Sequence, residues 1–137
     1  MTAPGIDIRE HYEIFEDLLT TALSPRKLYE FGSVPGVGGN KGDQPAIYGL
    51  LDVQRRPYTP QAISGHADVT GWAVTVVGVG RIRDEAAWVL NRASRALEEL
   101  VVTVDGHDST PLMFDAFDAI RPEGDRHAGR VAYTYVL

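Results

Sequence analysis

The chain has 137 residues, 44% hydrophobic and 23% charged, and its 13 Lys and Arg against 19 Asp and Glu give a formal charge of −6. This length suits one domain with a real core, and the composition excludes a disordered or fibrous chain. The acidic balance repels a nucleic-acid backbone, and the lack of cysteine excludes disulfides, thiolate metal sites and cysteine nucleophiles. The N-terminus, "MTAPGIDIREHYEIF", lacks a basic segment followed by an apolar run, and no stretch of about 20 apolar residues occurs. The expectation is a single domain, 1–137, with neither a secretory signal nor a membrane span.

The first predicted element is a helix. Ile8, Tyr12, Phe15, Leu19 and Ala22 recur at spacings of four and three and so share one face. Asp7 with Glu10 resembles a capping box, and Ser24-Pro25 stops the helix. "KLYEFGSV" reads as a short strand and "VPGVGGNKGDQP" as a glycine-rich surface loop. "AIYGLLDVQ" is a second strand, followed by the turn-rich segment "RRPYTPQAISGHADVTG". Trp72 to Val79 is a third strand, dominated by β-branched residues.

A second helix is expected from Asp84 to Leu100. Ala86, Leu90, Ala93, Leu97 and Leu100 form its seam, flanked by Val89 and Ala96. At about 100° per residue Trp88 falls off that seam, on the side carrying Asp84, Asn91 and Arg95. Then come "VVTVDG", the mixed apolar segment "LMFDAFDAI", a charged turn "RPEGDRHAG" and a closing strand, "RVAYTYVL". The fold class is α+β: a small mixed, mostly antiparallel sheet packed against two helices, with long hairpin loops.

The chemical motifs are weak. A dinucleotide fingerprint needs Gly-x-Gly-x-x-Gly, and after Gly78 and Gly80 the third position is Arg83. Asp105 stands at a suitable distance, but only one strand-helix-strand unit is present. "GVGGNKGD" has Asn40-Lys41-Gly42 in place of Gly-Lys-Ser/Thr, and no helix follows to hold an anion. His11, His66, His107 and His127 lack metal-ligand spacing. In "DGHDST" adjacent residues on a turn cannot form a catalytic triad. Asp115 and Asp118, three apart in an extended segment, are expected on opposite faces. Neither catalytic residues nor a cofactor or metal is predicted.

Interaction features remain. Trp88 on a polar helix face, with Arg92 and Arg95 on adjoining positions, is the candidate subunit interface, since tryptophan is enriched at hot spots. The competing reading tucks Trp88 under the protein's own long loop. The segments 34–45 and 55–71 exceed usual loop lengths and so tend to be functional or disordered until bound. They supply the candidate partner contacts Lys41, Arg55, Arg56, Tyr58 and His66.

In the unit "GWAVTVVGVGRIRDEAAWVLNRASRALEEL", the following "VTVDG" and the ending "IRPEGDRHAGRVAYTYVL", the chain resembles the tail terminator proteins of long-tailed bacteriophages, particularly those of actinobacteria. The N-terminal helix and "AIYGLLDVQ" extend the likeness over nearly the whole chain. The resemblance implies a ring, usually a hexamer, that caps the tail tube, ends its polymerisation and meets the head or neck proteins. It implies the virion as location, with tube and connector proteins as partners and DNA passing through without specific binding. A lumen that is not strongly basic lets DNA slide. The alternatives are a small nucleotide- or ligand-binding enzyme using the glycine turn, and a neck adaptor of the same virion.

Overall fold

A computed structural model describes residues 7–56 and 70–137. Along the chain run α1 (Ile8–Leu23), β1 (Lys27–Glu30), β2 (Tyr48–Arg56), β3 (Gly71–Gly80), α2 (Arg83–Leu97), β4 (Thr103–Val104), β5 (His107–Asp108), β6 (Met113–Glu123) and β7 (Arg126–Val136). Five strands form one sheet in the order β1-β2-β3-β7-β6, and β4 with β5 makes a two-stranded hairpin. The sheet is antiparallel except for the parallel pair β1 and β2. This is the α+β class expected from the sequence. The segment 31–47 connects two parallel neighbours and is therefore a crossover loop, not a hairpin loop.

Helix α1 starts where Asp7 accepts a hydrogen bond from the Arg9 backbone N–H at 2.9 Å, satisfying one orphan donor of the first turn. It ends at the cap Ser24, before Pro25. Its buried residues are His11, Tyr12, Phe15, Leu19 and Leu23. Ile8, expected on that face, is 47% exposed. It sits in the first turn, before the helix reaches the sheet, and His11 takes the buried place one turn on.

Helix α2 buries Ala86, Val89, Leu90, Ala93 and Leu97. It stops three residues short of the expected end. Glu98 caps it in an extended conformation, Glu99 turns to φ 60°, and Leu100 packs on the core from outside the helix. The helix rests on β3 and β7, while α1 lies over β1 and β2 and against α2. Between helices and sheet the core gathers Phe15, Leu19, Leu51, Trp72, Val74, Val76, Tyr133 and Tyr135.

The height of α2 above the sheet is set by glycine. Gly49, Gly78 and Gly129 face one another across β2, β3 and β7. A Cβ on Gly78 would sit 2.6 Å from the Ala86 carbonyl oxygen and 2.9 Å from Leu90 Cγ. On Gly80 it would sit 2.7 Å from the Ala86 nitrogen, on Gly49 2.8 Å from Leu23 Cδ1, and on Gly129 2.7 Å from Ile120 Cγ1. Gly78-Val79-Gly80 is thus the end of β3, not a turn, and its glycines let the helix pack closely on the strand. Strands β3 and β6 run parallel around α2, but β7, antiparallel to both, lies between them.

The charged turn "RPEGDRHAG" contracts to Gly124 and Asp125. Gly124, at φ 63°, supplies the positive angle that a two-residue hairpin demands, and the flanking charged residues continue β6 and β7. Asp105 and Gly106, with φ of 52° and 76°, make the equivalent turn between β4 and β5.

Candidate functional site

The sheet face away from the helices has its own small core. Val34, Tyr48 and Val79 are buried there, with Tyr29, Leu50, Val77 and Ala128 against them. The glycine-rich loop provides the lid. Val34 is its apolar anchor, and Asn40 Nδ2 donates to the carbonyls of Gly32 and Val34 at 2.9 Å each, clamping the loop on itself. Gln44 donates to the Tyr48 hydroxyl at 3.0 Å. The loop expected to lie free on the surface is therefore packed and bonded. Lys41, its candidate contact residue, is exposed.

Arg55 and Arg56 belong to β2, opposite Trp72 and Gly71, and not to the following loop. Both are exposed. Arg56 reaches across the outer face of the sheet to Asp115 at 3.2 Å. Tyr58, His66 and the expected mobility of 55–71 fall largely outside the described residues.

Asp115 and Asp118 do not take opposite faces. A register shift between Phe114 and Ala116 marks a bulge at Asp115, so the alternation breaks and both carboxylates serve the outer face. Each is held by its own arginine, Asp115 by Arg56 and Asp118 by Arg130 at 2.7 Å. The same bulge turns Phe114 and Phe117 to one side, opposite Tyr133 and Val131 on the helix-facing side of the sheet. There α2 does not cover them. Phe114 is 56% exposed and Phe117 52%, whereas Met113, 69% exposed, pairs with Thr134 and lies on the outer face. Sequence reasoning passed over this edge as a mixed apolar segment. Pro122 was the available signal that the strand is an edge, since proline cannot donate to a ladder on both sides.

Trp88 is half-buried and belongs to neither apolar core. The Arg92 guanidinium lies 5.0 Å above its ring, a cation–π pair on the outward face of α2. Arg95 is exposed on the same face. The structure thus brings Trp88 and Arg92 together.

At the start of α2, Glu85 accepts from the Arg81 backbone N–H at 2.8 Å and from the Arg81 guanidinium at 2.9 Å. These bonds hold its carboxyl down at about 2. Elsewhere His11 is fully buried, stacked on Trp72 at 3.7 Å between ring centroids, with Nδ1 2.6 Å from the Tyr135 hydroxyl. Burial pushes the Tyr135 hydroxyl far above the usual phenol value, so it stays neutral. His127 Nδ1 lies 3.3 Å from the Arg81 carbonyl. Among the described residues no cluster of three or more His, Asp or Glu is arranged to hold a metal.

Two recesses open on the outer face. One of about 560 Å³ runs from Phe31 and Val77 to Asp118, Arg121 and Arg130, and a second of about 320 Å³ lies between Val37, Leu50, Val77 and Arg126. The first is lined by Asp118, Arg121, Glu123 and Arg130 beside its apolar residues, and the second by Gln44, Tyr48, Glu123 and Arg126. Among the described residues no helix is long and apolar enough to cross a membrane.

No protein-family model and no curated protein matches the sequence. A solved protein structure, 13% identical to this chain, matches 93% of it and 90% of its own chain with a TM-score of 0.60. At that identity the likeness establishes a shared fold.

Proposed function

We propose that this protein is a ring-forming structural component of a bacteriophage virion, a tail terminator. As such it closes the tail tube at its head-proximal end, stops tube growth and presents a surface to the connector or neck. The observation that carries the reading is the Trp88–Arg92 pair on the outward face of α2, outside both cores of its own subunit. A large aromatic clasped by a guanidinium has the composition of an interface hot spot. The packed glycine loop and the carboxylates of Asp115 and Asp118, each paired with an arginine, are compatible with a scaffold. The net charge of −6 suits a channel through which DNA passes without adhering.

The test is assembly. The parent protein should form ring-sized particles in light scattering and negative-stain images, and should shorten tubes when added to polymerising tail tube protein. Trp88→Ala should keep its circular dichroism and melting curve while losing particles, because truncating a tryptophan hot spot costs at least about 2 kcal/mol at each contact. A parent that stays monomeric and binds nucleotides would overturn the reading in favour of a small ligand-binding enzyme.

A further inference from the structure

We infer that Asp105 and Gly106, the turn between β4 and β5, form a site of spontaneous covalent modification, where the aspartyl residue isomerises to its β-linked form. The inference is independent of the ring-forming reading and goes beyond it.

The chemistry requires a backbone nitrogen that can reach the side chain before it. The Gly106 nitrogen attacks Cγ of the protonated Asp105 carboxyl. An N–Cγ bond forms, the Cγ–OH bond breaks, and the amide proton leaves with the hydroxyl as water, giving a five-membered imide. Water then adds at one of the two imide carbonyls. Cleavage of the N–Cγ bond restores aspartate, whereas cleavage between the nitrogen and the main-chain carbonyl carbon routes the backbone through Cβ and Cγ and frees the α-carboxylate. Nothing is oxidised or reduced, and solvent is the sole co-reactant. Attack between adjoining groups has the advantage of any intramolecular reaction, provided that neither group is blocked or held elsewhere.

Asp105-Gly106 is the only Asp-Gly or Asn-Gly pair in the sequence. Both residues are exposed, and a Cβ added to Gly106 would meet nothing within 4 Å, so the nitrogen is unshielded. Among the described residues neither the Asp105 carboxylate nor the Gly106 N–H has a hydrogen-bond partner. The turn must open for the nitrogen to reach Cγ. It is closed by two residue pairs alone, Thr103 with Asp108 and Val104 with His107, and so short a hairpin opens readily at its tip. Asp105 also sits at φ 52°, a region that disfavours any residue with a Cβ. The added backbone atom of the β-linked form lengthens the turn and removes that demand.

The neighbouring Asp108-Ser109 pair is the protected counterpart. Asp108 accepts from the Thr103 hydroxyl, and the Ser109 N–H donates to the Val102 carbonyl at 2.8 Å, so carboxyl and nucleophile are both engaged. At Asp115, Asp118 and Asp125 the carboxylates are held by Arg56, Arg130 and Arg126. Ser109 also pins the base of the hairpin. Its hydroxyl accepts from the Val102 N–H at 3.0 Å, and Val102 and Val104 are buried in the core. A longer turn therefore alters the tip and leaves the core in place.

The test incubates the full-length protein in warm neutral buffer made with heavy-oxygen water. Peptides are then fragmented by electron transfer, which tells β-linked from ordinary aspartate. A β-aspartyl product carrying one solvent oxygen should accumulate at Asp105 and not at Asp108. It should also accept a methyl group from a carboxyl methyltransferase specific for β-linked aspartate. The rate in the folded protein should lie within about tenfold of the rate in denaturant, since opening the tip costs little. Gly106→Ala should slow the reaction, and Asp105→Glu, which would need a six-membered imide, should stop it while leaving the turn in place. Melting curves of the modified and parent proteins should coincide. An unmodified Asp105, or a folded-state rate far more than tenfold below that in denaturant, overturns the inference by showing that the turn shields its own aspartate.

Discussion

Glu85 is a half-buried carboxylate whose titration the fold clearly displaces. Its carboxylate accepts both from the backbone ahead of α2 and from Arg81, tying the turn between β3 and α2 to the first helical turn. The folded-state value of about 2 lies below the ordinary 4.5. The stabilisation is therefore complete above about pH 4.5 and drains away as the pH falls toward 2. Glu85→Gln should melt lower than the parent at neutral pH, and the difference between the two should close through that acid window. A gap that persists unchanged at pH 2 would show that the clamp acts through something other than the charge. Trp88 was visible in the sequence as a misfit because helical phase alone puts it off the seam. Phe114 and Phe117 were not, since the reading of an extended segment assumes strict alternation and one inserted residue reverses it.

Among the elements, both helices and the three central strands were legible because their apolar spacing is regular, and α1 also carries the Asp7 cap and the Ser24-Pro25 stop, whereas α2 starts at Ile82 without a side-chain cap. Ends set by tertiary contact were harder. Helix α2 yields at Glu98 because the chain must turn for Leu100 and Val102 to join the core. β7 starts earlier than its apolar run because β3 and β6 pair with its polar beginning. The parallel placement of β1 leaves no local trace at all. The glycines of β2, β3 and β7 could be seen individually, yet only the strand register shows that they form one row. Gly78→Ala tests that row. The added methyl would collide with the backbone carbonyl of Ala86, and overpacking of this kind costs typically about 1–3 kcal/mol. Gly106→Asn, at a turn position with open space around it and φ 76°, is the contrasting substitution. Thermal melts should separate the two clearly, and equal losses would deny the row its role.

For the whole molecule, the fold class followed from the order of elements, while the proposed self-association rests on surfaces. The acidic chain makes self-association a contest between long-range repulsion and short-range aromatic contact. Screening weakens the first far more than the second, because the Debye length shrinks from about 30 Å at 0.01 M to about 8 Å at 0.15 M salt. Assembly should accordingly strengthen as salt rises across that range, as read by light scattering at fixed protein concentration. Dissociation over the same interval would mean that exposed ion pairs, not apolar contacts, dominate the joint.

The glycine row has a mechanical meaning as well. Most helices sit on side chains, and side chains can rotate, swap or shrink as a sequence drifts, so the seat of the helix moves with them. Here α2 is seated partly on bare backbone, with the Ala86 carbonyl against the place where a Gly78 side chain would stand. Its tilt works like a machined stop, indifferent to which apolar residues fill the space around it. Any joint made by the outward face of α2 inherits that fixed angle, and a closed ring tolerates little angular error because each subunit repeats it. A volume-conserving apolar exchange at a core residue such as Val74 or Leu97 should then leave the angle of α2 unchanged.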